Sequence, residues 1–285
     1  MVSYLILCGA VVASLGGNLF SAAFNRREKE GSAILLYNLI YTATAFFGWL
    51  VIWLTQMSFD AGVLWYSLGF GVGFVMAQGG YIRALQLGPI SLSALLLQFS
   101  LIITAVWGLV FWGDELTALT VVGLCLVVVS LVLCVLQKGD RAVSLKWLFF
   151  AVVSMVGNAA CTILQKEQVL NYNGEHNGML MAFALLFASI ACLIIWLKAK
   201  PRCVTETVKR SGALPLVAGV FNVLMNLCVI LLATRLPGSV VYPVFAVGSL
   251  ALTSLLSALI FRERLSLRQW IGIGVGAVAV LLLSL

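Results

Sequence analysis

Residues Thr117 to Leu136 read TALTVVGLCLVVVSLVLCVL, an apolar run without a single charged side chain. An α-helix rises about 1.5 Å per residue, so a run of roughly 20 residues is long enough to cross a hydrocarbon layer of about 30 Å. A membrane-spanning strand needs about ten residues of alternating polarity, which this run lacks. The stretch therefore predicts a transmembrane helix.

Runs of this kind recur along the chain. Of the 285 residues, 62% are hydrophobic and only 9% are charged, whereas a soluble domain carries about a quarter charged residues. We predict an all-α integral membrane protein, multi-pass in the cytoplasmic membrane, with ten transmembrane helices. The predicted spans are Val2 to Phe24, Ser32 to Thr55, Gly62 to Leu85, Pro89 to Trp112, Thr117 to Leu136, Lys146 to Gln165, Asn177 to Leu197, Gly212 to Thr234, Pro237 to Phe261 and Leu267 to Leu285.

Several functional classes are excluded by the residues available. The chain has one histidine, His176, and no CxxC pair, so a multi-histidine metal site cannot be assembled. No phosphate-binding loop or catalytic triad can be traced either. The formal charge of +7 comes from basic residues in short loops beside apolar runs, which is typical of membrane topology and not of a nucleic-acid surface. We expect no enzyme activity, no catalytic residue, no metal, no cofactor and no nucleic-acid partner.

The basic residues also predict the orientation. Alternate sides of the predicted topology carry about 15 and 2 of the 17 Lys and Arg residues. Cytoplasmic loops are enriched in Lys and Arg. Both termini are therefore predicted outside, with the loop from Lys198 to Arg210 in the cytoplasm.

The second half of the chain repeats the first at a shift of about 149 residues. Polar and glycine residues recur in register, which chance matching of apolar residues does not explain. The matched pairs include Ser100 with Ser249, Thr104 with Thr253, Gly123 with Gly272 and, at a shift of about 140 residues, Asn18 with Asn158.

Each repeat contains five predicted spans, an odd number, so the second repeat must enter the membrane from the opposite side. We therefore predict two inverted five-helix repeats, residues 1–143 and 144–285. Inverted repeats allow one chain to open a central cavity first to one side of the membrane and then to the other, which is the architecture of many secondary transporters.

Two stretches resemble a known family. Ala84 to Pro89 with Gly113 to Thr117, and their partners Tyr242-Pro243 and Phe261 to Leu265, are similar to the helix signatures of the drug/metabolite transporter superfamily, specifically its ten-helix EamA-like members. The resemblance covers essentially the whole chain and implies a central cavity, alternating access and termini in the cytoplasm. The count of basic residues predicts the opposite orientation, which we keep. The superfamily carries varied substrates, so the resemblance does not identify one.

Polar side chains near the middle of a span are costly without a partner, so they are candidate substrate contacts. Asn222 and Asn226 are four residues apart and therefore lie on one helix face. For each amide the alternative is a hydrogen bond that ties two helices together; for this pair we favour a cavity. The candidate amides are Asn18, Gln78, Gln98, Asn158, Asn222 and Asn226.

Three further residues complete the predicted site. Tyr41 belongs to a polar face of the second span, and its alternative role is a membrane anchor. Tyr242 precedes Pro243, which frees a backbone carbonyl for a cavity, with a tolerated helix kink as the alternative. Arg83 lies near the end of the third span, where it contacts an anionic group or extends to the headgroups. Lys166 follows the predicted sixth span, and we expect it to be solvated, with guarding an entrance as the alternative.

No acidic residue is predicted at mid-depth, so no carboxylate is placed to exchange a proton for a cation. The sequence thus predicts a secondary transporter of small polar or zwitterionic metabolites, working by alternating access. The alternatives are a flippase for a lipid-linked substrate and a membrane subunit without transport. The pairs Gly69 with Gly73 and Gly272 with Gly276 have the spacing of close helix contacts, within one chain or in a homodimer.

Overall fold

The structure is a computed structural model that describes residues 2–28, 31–87, 90–114, 117–135, 144–199, 204–233, 235–236, 241, 244–245, 247–249, 251–252 and 266–284. Within these ranges the chain forms helices joined by short turns, and no strand occurs. The α-helices are α1 (Val2–Arg27), α2 (Gly31–Gln56), α3 (Val63–Leu87), α4 (Ile90–Trp107), α5 (Ala118–Val135), α6 (Leu145–Asn171), α7 (Asn177–Ala199), α8 (Val204–Ser211), α9 (Ala213–Ala233) and α10 (Leu267–Ser284). A π-helical turn, Gly108–Trp112, follows α4 directly.

The helices carry the apolar surface that a bilayer requires. Among the described residues, five helices are long and apolar enough to cross a membrane, in α1, α2, α6, α7 and α9. Near the end of α7 the large side chains of Ile190, Leu193, Ile194 and Leu197 are exposed. Such a row of exposed aliphatic side chains is stable in lipid and costly in water. The predicted all-helical membrane fold is confirmed for this part of the chain, whereas most of the predicted ninth span, Pro237 to Phe261, lies outside the described residues.

The main difference from the predicted spans is the length of α6. The sixth span was expected to end at Gln165, but the helix continues to Asn171. Lys166 therefore lies inside the helix, where only 3% of its surface is exposed. The expectation that Lys166 is solvated is wrong, because the helix continues beyond this residue and its side chain is buried.

A second difference is the short helix α8, in a segment predicted as loop. It is amphipathic but only eight residues long and rich in charged residues, so it does not belong to the long apolar runs from which the spans were predicted. Its end is fixed to the end of α1: Arg210 Nε lies 3.2 Å from Glu28 Oε1, and the Ser211 hydroxyl donates to the same oxygen at 2.8 Å. The charged residues at the end of α1 thus act as an anchor for this segment.

The chain divides into two compact units. Unit 1 comprises Met1–Val72 and Leu164–Thr234, and unit 2 comprises Gly73–Ile163 and Arg235–Leu285. Each unit therefore combines segments from both halves of the sequence. The helices α3 and α6 each contribute one end to unit 1 and the other end to unit 2.

In unit 1, α1 packs on α9, and α2 packs on both α7 and α9. One part of its core consists of Val63, Met179 and Leu180, against which Trp53 and Phe183 pack. In unit 2, α5 packs on α10 and on α4.

Unit 2 contains a very close crossing of α3 and α6. A Cβ added to Gly157 would lie 2.6 Å from the Gly73 carbonyl oxygen, and one added to Gly80 would lie 2.8 Å from both the Phe150 carbonyl oxygen and the Ser154 nitrogen. Side chains at these positions would collide with backbone. The helices can approach this closely only because the residues are glycines.

The glycine pairs that suggested close packing do pack within the chain. In unit 1, a Cβ on Gly69 would lie 2.8 Å from Leu164 Cδ1. In unit 2, Ser130 Oγ donates to the Gly272 carbonyl at 2.7 Å and would lie 2.6 Å from a Cβ on Gly276. Contacts inside the chain therefore account for these glycines, and a homodimer stays a prediction.

Candidate functional site

The two asparagines of α9 are the starting point of the candidate site, which lies in unit 1. Asn226 Nδ2 donates to Asn222 Oδ1 at 3.2 Å and to the Asn222 backbone carbonyl at 3.0 Å. The two side chains therefore lie on the same face of the helix, as their four-residue spacing predicts. Asn226 is buried, with 9% of its surface exposed.

This pair is extended at both ends by side chains from other helices. Asn222 Nδ2 donates to the Tyr41 hydroxyl on α2 at 2.6 Å. Asn226 Oδ1 accepts from Gln165 Nε2 on α6 at 3.3 Å. Gln165, Asn226, Asn222 and Tyr41 thus form a continuous chain of hydrogen bonds across three helices, which we call the amide chain.

The amide chain has a direction. Gln165 and Asn226 each donate to an amide oxygen, and Asn222 donates to a hydroxyl oxygen. Each amide therefore donates toward Tyr41. Having accepted a hydrogen bond from Asn222, the Tyr41 hydroxyl still has its own hydrogen to donate. Such a row of neutral groups can bind polar solutes without the cost of burying an unpaired charge.

Aromatic rings continue from Tyr41 along α2. The rings of Tyr41 and Tyr37 are stacked, with centroids 5.8 Å apart, and Phe24 of α1 packs on Tyr37 with centroids 4.9 Å apart. The Tyr37 hydroxyl is hydrogen bonded to Ser21. These contacts fix the Tyr37 and Tyr41 rings in place, and they show that Tyr41 is packed against protein groups in addition to any anchoring role.

One end of unit 1 carries a separate polar cluster, where α6 and α7 are joined. The Tyr172 hydroxyl donates to Asp60 Oδ1 at 3.4 Å, and Asn171 Nδ2 donates to the Tyr66 hydroxyl at 2.9 Å. Partial desolvation, together with the neighbouring Asp60 carboxylate, raises the pKa of Tyr172 above its ordinary value. Tyr172 therefore remains a hydrogen-bond donor at neutral pH.

In unit 2 the polar side chains are arranged differently. Asn158 Nδ2 donates to the Ser100 hydroxyl at 2.7 Å, and the hydroxyls of Thr162 and Thr104 are 2.6 Å apart. These two pairs join α6 to α4. Each is a contact between two side chains.

Of the remaining predicted residues, those whose side chains the structure describes are not part of the amide chain. Asn18 of α1 and Arg83 of α3 have exposed side chains, although both make contacts within the protein. Gln78 of α3 is partly buried. Gln98 lies in α4, but its side chain, like the whole of Tyr242, is outside the described residues.

Sequence reasoning missed Gln165 as a site residue. It stands at the predicted end of the sixth span, where a polar residue is expected to face water. In the structure only 2% of its surface is exposed. Its seven-residue spacing from Asn158, which places both near one face of a helix, is the signal that could have identified it.

No cluster of metal-ligating side chains occurs within the described part of the chain. The candidate site is built from amides and a phenol, which form hydrogen bonds with one another.

Comparison with known families and structures identifies the type of protein. Residues 145–285 match the EamA-like transporter family. The carboxyl-terminal half of this chain belongs to that family. This finding confirms the resemblance to the drug/metabolite transporter superfamily over these residues. Together with the apolar helices, it indicates a multi-pass membrane protein. The matched family consists of membrane transporters, whose members work in a lipid bilayer on small-molecule substrates.

No curated protein sequence matches this chain. The comparison with solved structures adds evidence on the fold alone. One solved crystal structure of a protein, whose sequence is 13% identical to this chain, is similar in fold with a TM-score of 0.79. The match covers 98% of this chain and 95% of the other.

Proposed function

We propose that this protein is a secondary transporter that carries small polar or zwitterionic organic metabolites across the cytoplasmic membrane by alternating access. The observation that supports this proposal most directly is the amide chain. A transporter for polar solutes must offer hydrogen bonds at a depth where lipid offers none. In unit 1 the amide chain provides these hydrogen-bonding groups, on three helices whose other buried residues are mainly apolar.

The proposal includes two inverted repeats, residues 1–143 and 144–285. Under this repeat α2 is equivalent to α7, and α5 is equivalent to α10. Both equivalent pairs pack against each other, the first in unit 1 and the second in unit 2. Contact between equivalent helices is what a twofold relation between the repeats predicts, and such a relation underlies alternating access.

Transport can be tested with the purified full chain in liposomes. We expect uptake or counterflow of at least one member of a panel of neutral and zwitterionic metabolites. Asn222→Ala removes the centre of the amide chain and should lower transport about tenfold, the effect of losing roughly one good hydrogen bond.

Asn171→Ala is a matched control, because Asn171 is also an amide but is exposed and bonded only to Tyr66 among the contacts described. It should leave transport nearly unchanged. If no solute moves with the wild type, or if Asn222→Ala is as active as Asn171→Ala while both remain folded, the proposal is wrong.

We also propose that both termini lie outside the cell, because the basic residues are concentrated on the opposite side of the predicted topology. An epitope added at the carboxyl terminus should then be labelled in intact cells by an impermeant antibody. Labelling only after the membrane is permeabilised would contradict this orientation.

A further inference from the structure

The polar cluster where α6 and α7 are joined combines a carboxylate with aromatic rings. We propose that Asp60, Tyr66 and Tyr172 bind the ammonium group of an organic solute, and we call these three residues the ammonium site. This inference rests on the proposed transport function, for which the ammonium site captures solute at one end of unit 1.

The first observation is a carboxylate without a positive partner. Asp60 Oδ1 accepts hydrogen bonds from the Gly62 backbone amide at 2.7 Å and from the Tyr172 hydroxyl at 3.4 Å. Both donors are neutral, and no Lys or Arg in the described part of the chain forms an ion pair with Asp60. Asp60 is half-buried, so its charge is partly shielded from water. A cation that also donates hydrogen bonds is a favourable partner for such a carboxylate.

The second observation is the aromatic surroundings of this carboxylate. The rings of Tyr66 and Tyr172 lie at 87° to each other, with centroids 6.2 Å apart. The Tyr66 hydroxyl is held by Asn171, and the Tyr172 ring also contacts His176, with centroids 5.8 Å apart. The face of a tyrosine ring is negative and attracts organic ammonium groups. The rings and the carboxylate therefore favour the same kind of ligand.

The third observation is the balance of donors and acceptors in the segments that form the cluster, residues 57–66 and 166–177. Their buried side-chain atoms without a hydrogen-bond partner are Ser58 Oγ, Gln168 Oε1, His176 Nδ1 and Asn177 Oδ1. Two of these atoms are amide oxygens, which only accept, and the other two are able to accept. The unpaired buried atoms thus add acceptors to the cluster and no obligate donor.

The charges of the same segments have the same sign on balance. Apart from His176, their charged side chains are Asp60, Lys166, Glu167 and Glu175. Three are carboxylates and one is an ammonium group, and Lys166 and Glu167 also interact within the protein. An excess of negative charge attracts cations and repels anions.

The ammonium site is connected to the amide chain through α6. Tyr172 follows Gln165 by seven residues, and its backbone N–H donates to the Gln168 carbonyl at 3.0 Å, as in a continuing helix. A spacing of seven residues places two positions near one face of a helix, about 10 Å apart along its axis. A solute bound at the ammonium site therefore lies at the end of the helix face that carries Gln165.

The test compares ammonium compounds with neutral partners that carry a hydroxyl instead, using the purified full chain at pH 7. The pairs are ethanolamine with ethylene glycol, and L-alaninamide with L-lactamide. In the wild type at least one ammonium compound should raise the melting temperature and compete for transport more strongly than its partner, with a difference in apparent affinity of roughly fivefold or more. Sodium chloride at the same concentration should have little effect.

Asp60→Asn removes the charge but keeps an oxygen that accepts from Tyr172, and it should abolish most of this preference. Tyr66→Leu removes one ring and should weaken the preference, and it provides a second variant if Asp60→Asn does not fold. Glu175→Gln is the matched control, because Glu175 is a carboxylate of the same junction but is exposed. It should preserve the preference.

The proposal is overturned if the wild type does not prefer any ammonium compound, if sodium chloride stabilises it equally, or if folded Asp60→Asn and Tyr66→Leu variants keep the preference. Transport of neutral solutes without such a preference would reject the ammonium site alone. Binding of ammonium compounds that depends on Asp60, in a protein that moves no solute, would support the site and reject the transporter function.

Discussion

The two ends of α6 use polar side chains in opposite ways. At the unit 2 end, Asn158 donates to a single hydroxyl on Ser100, and the neighbouring Gly157 lies against the backbone of α3. At the unit 1 end, Gln165 donates to Asn226, which itself continues to Asn222 and Tyr41. The residue types are similar, but one end is a close-packed crossing and the other is a chain of hydrogen bonds.

The difference teaches that the role of a buried amide depends on its partner. In unit 2 the Asn158 amide donates to the Ser100 hydroxyl, and this pair joins α6 to α4. An asparagine has two donor hydrogens and an acceptor oxygen, so a contact between amides leaves further groups for a third partner. We propose that the amide chain binds a solute, whereas the pair of Asn158 and Ser100 ties two helices together.

The largest expected effect concerns the close crossing in unit 2. Gly80→Ala would place a Cβ 2.8 Å from the Phe150 carbonyl oxygen and from the Ser154 nitrogen. Since both atoms belong to the backbone, the helices must move apart, and we expect a loss of about 1–3 kcal/mol of stability. Thermal unfolding of the purified protein in detergent measures this loss.

The adjacent residue is an ideal control for that change. A Cβ on Gly79 would have nothing within 4 Å. Because alanine favours the helix over glycine by up to about 1 kcal/mol, Gly79→Ala should leave stability unchanged or raise it slightly. Equal destabilisation by the two substitutions would show that helix contact at Gly80 is not the cause.

A smaller effect separates the amide chain from the pair in unit 2. Double-mutant cycles can be measured for Tyr41→Phe with Asn222→Ala and for Ser100→Ala with Asn158→Ala. Interhelical hydrogen bonds in membranes contribute about 0.6 kcal/mol on average and at most about 1.7 kcal/mol, so both couplings should fall in this range. Thermal unfolding of the wild type, the two single variants and the double variant in each cycle provides the coupling energies.

Transport activity should distinguish the two pairs, even though their coupling energies are expected to be similar. Tyr41→Phe removes the hydroxyl at the end of the amide chain and should lower transport, while Ser100→Ala should retain most of it. A greater loss of transport with Ser100→Ala would contradict the distinction and would assign the binding role to unit 2.

The apolar runs alone determined most of the helices. Long uninterrupted apolar segments have no alternative to helix in lipid, because only a helix satisfies its own backbone hydrogen bonds. For this reason the predicted boundaries of α2 and α5 agree with the structure to within one residue. The short helix α8 was missed because it is short and charged, unlike the apolar runs, and its contacts with Glu28 join segments that are far apart in the sequence.

The sequence by itself also placed Asn222 and Asn226 on one face of α9, because helical periodicity fixes the positions of side chains on the same helix. Only the tertiary structure decided that Tyr41 and Gln165 join them, that Asn158 pairs with Ser100 instead, and that Lys166 is buried. Periodicity carries no information about which helix lies opposite. Those contacts depend on packing between segments that are far apart in the chain, and only the folded protein brings them together.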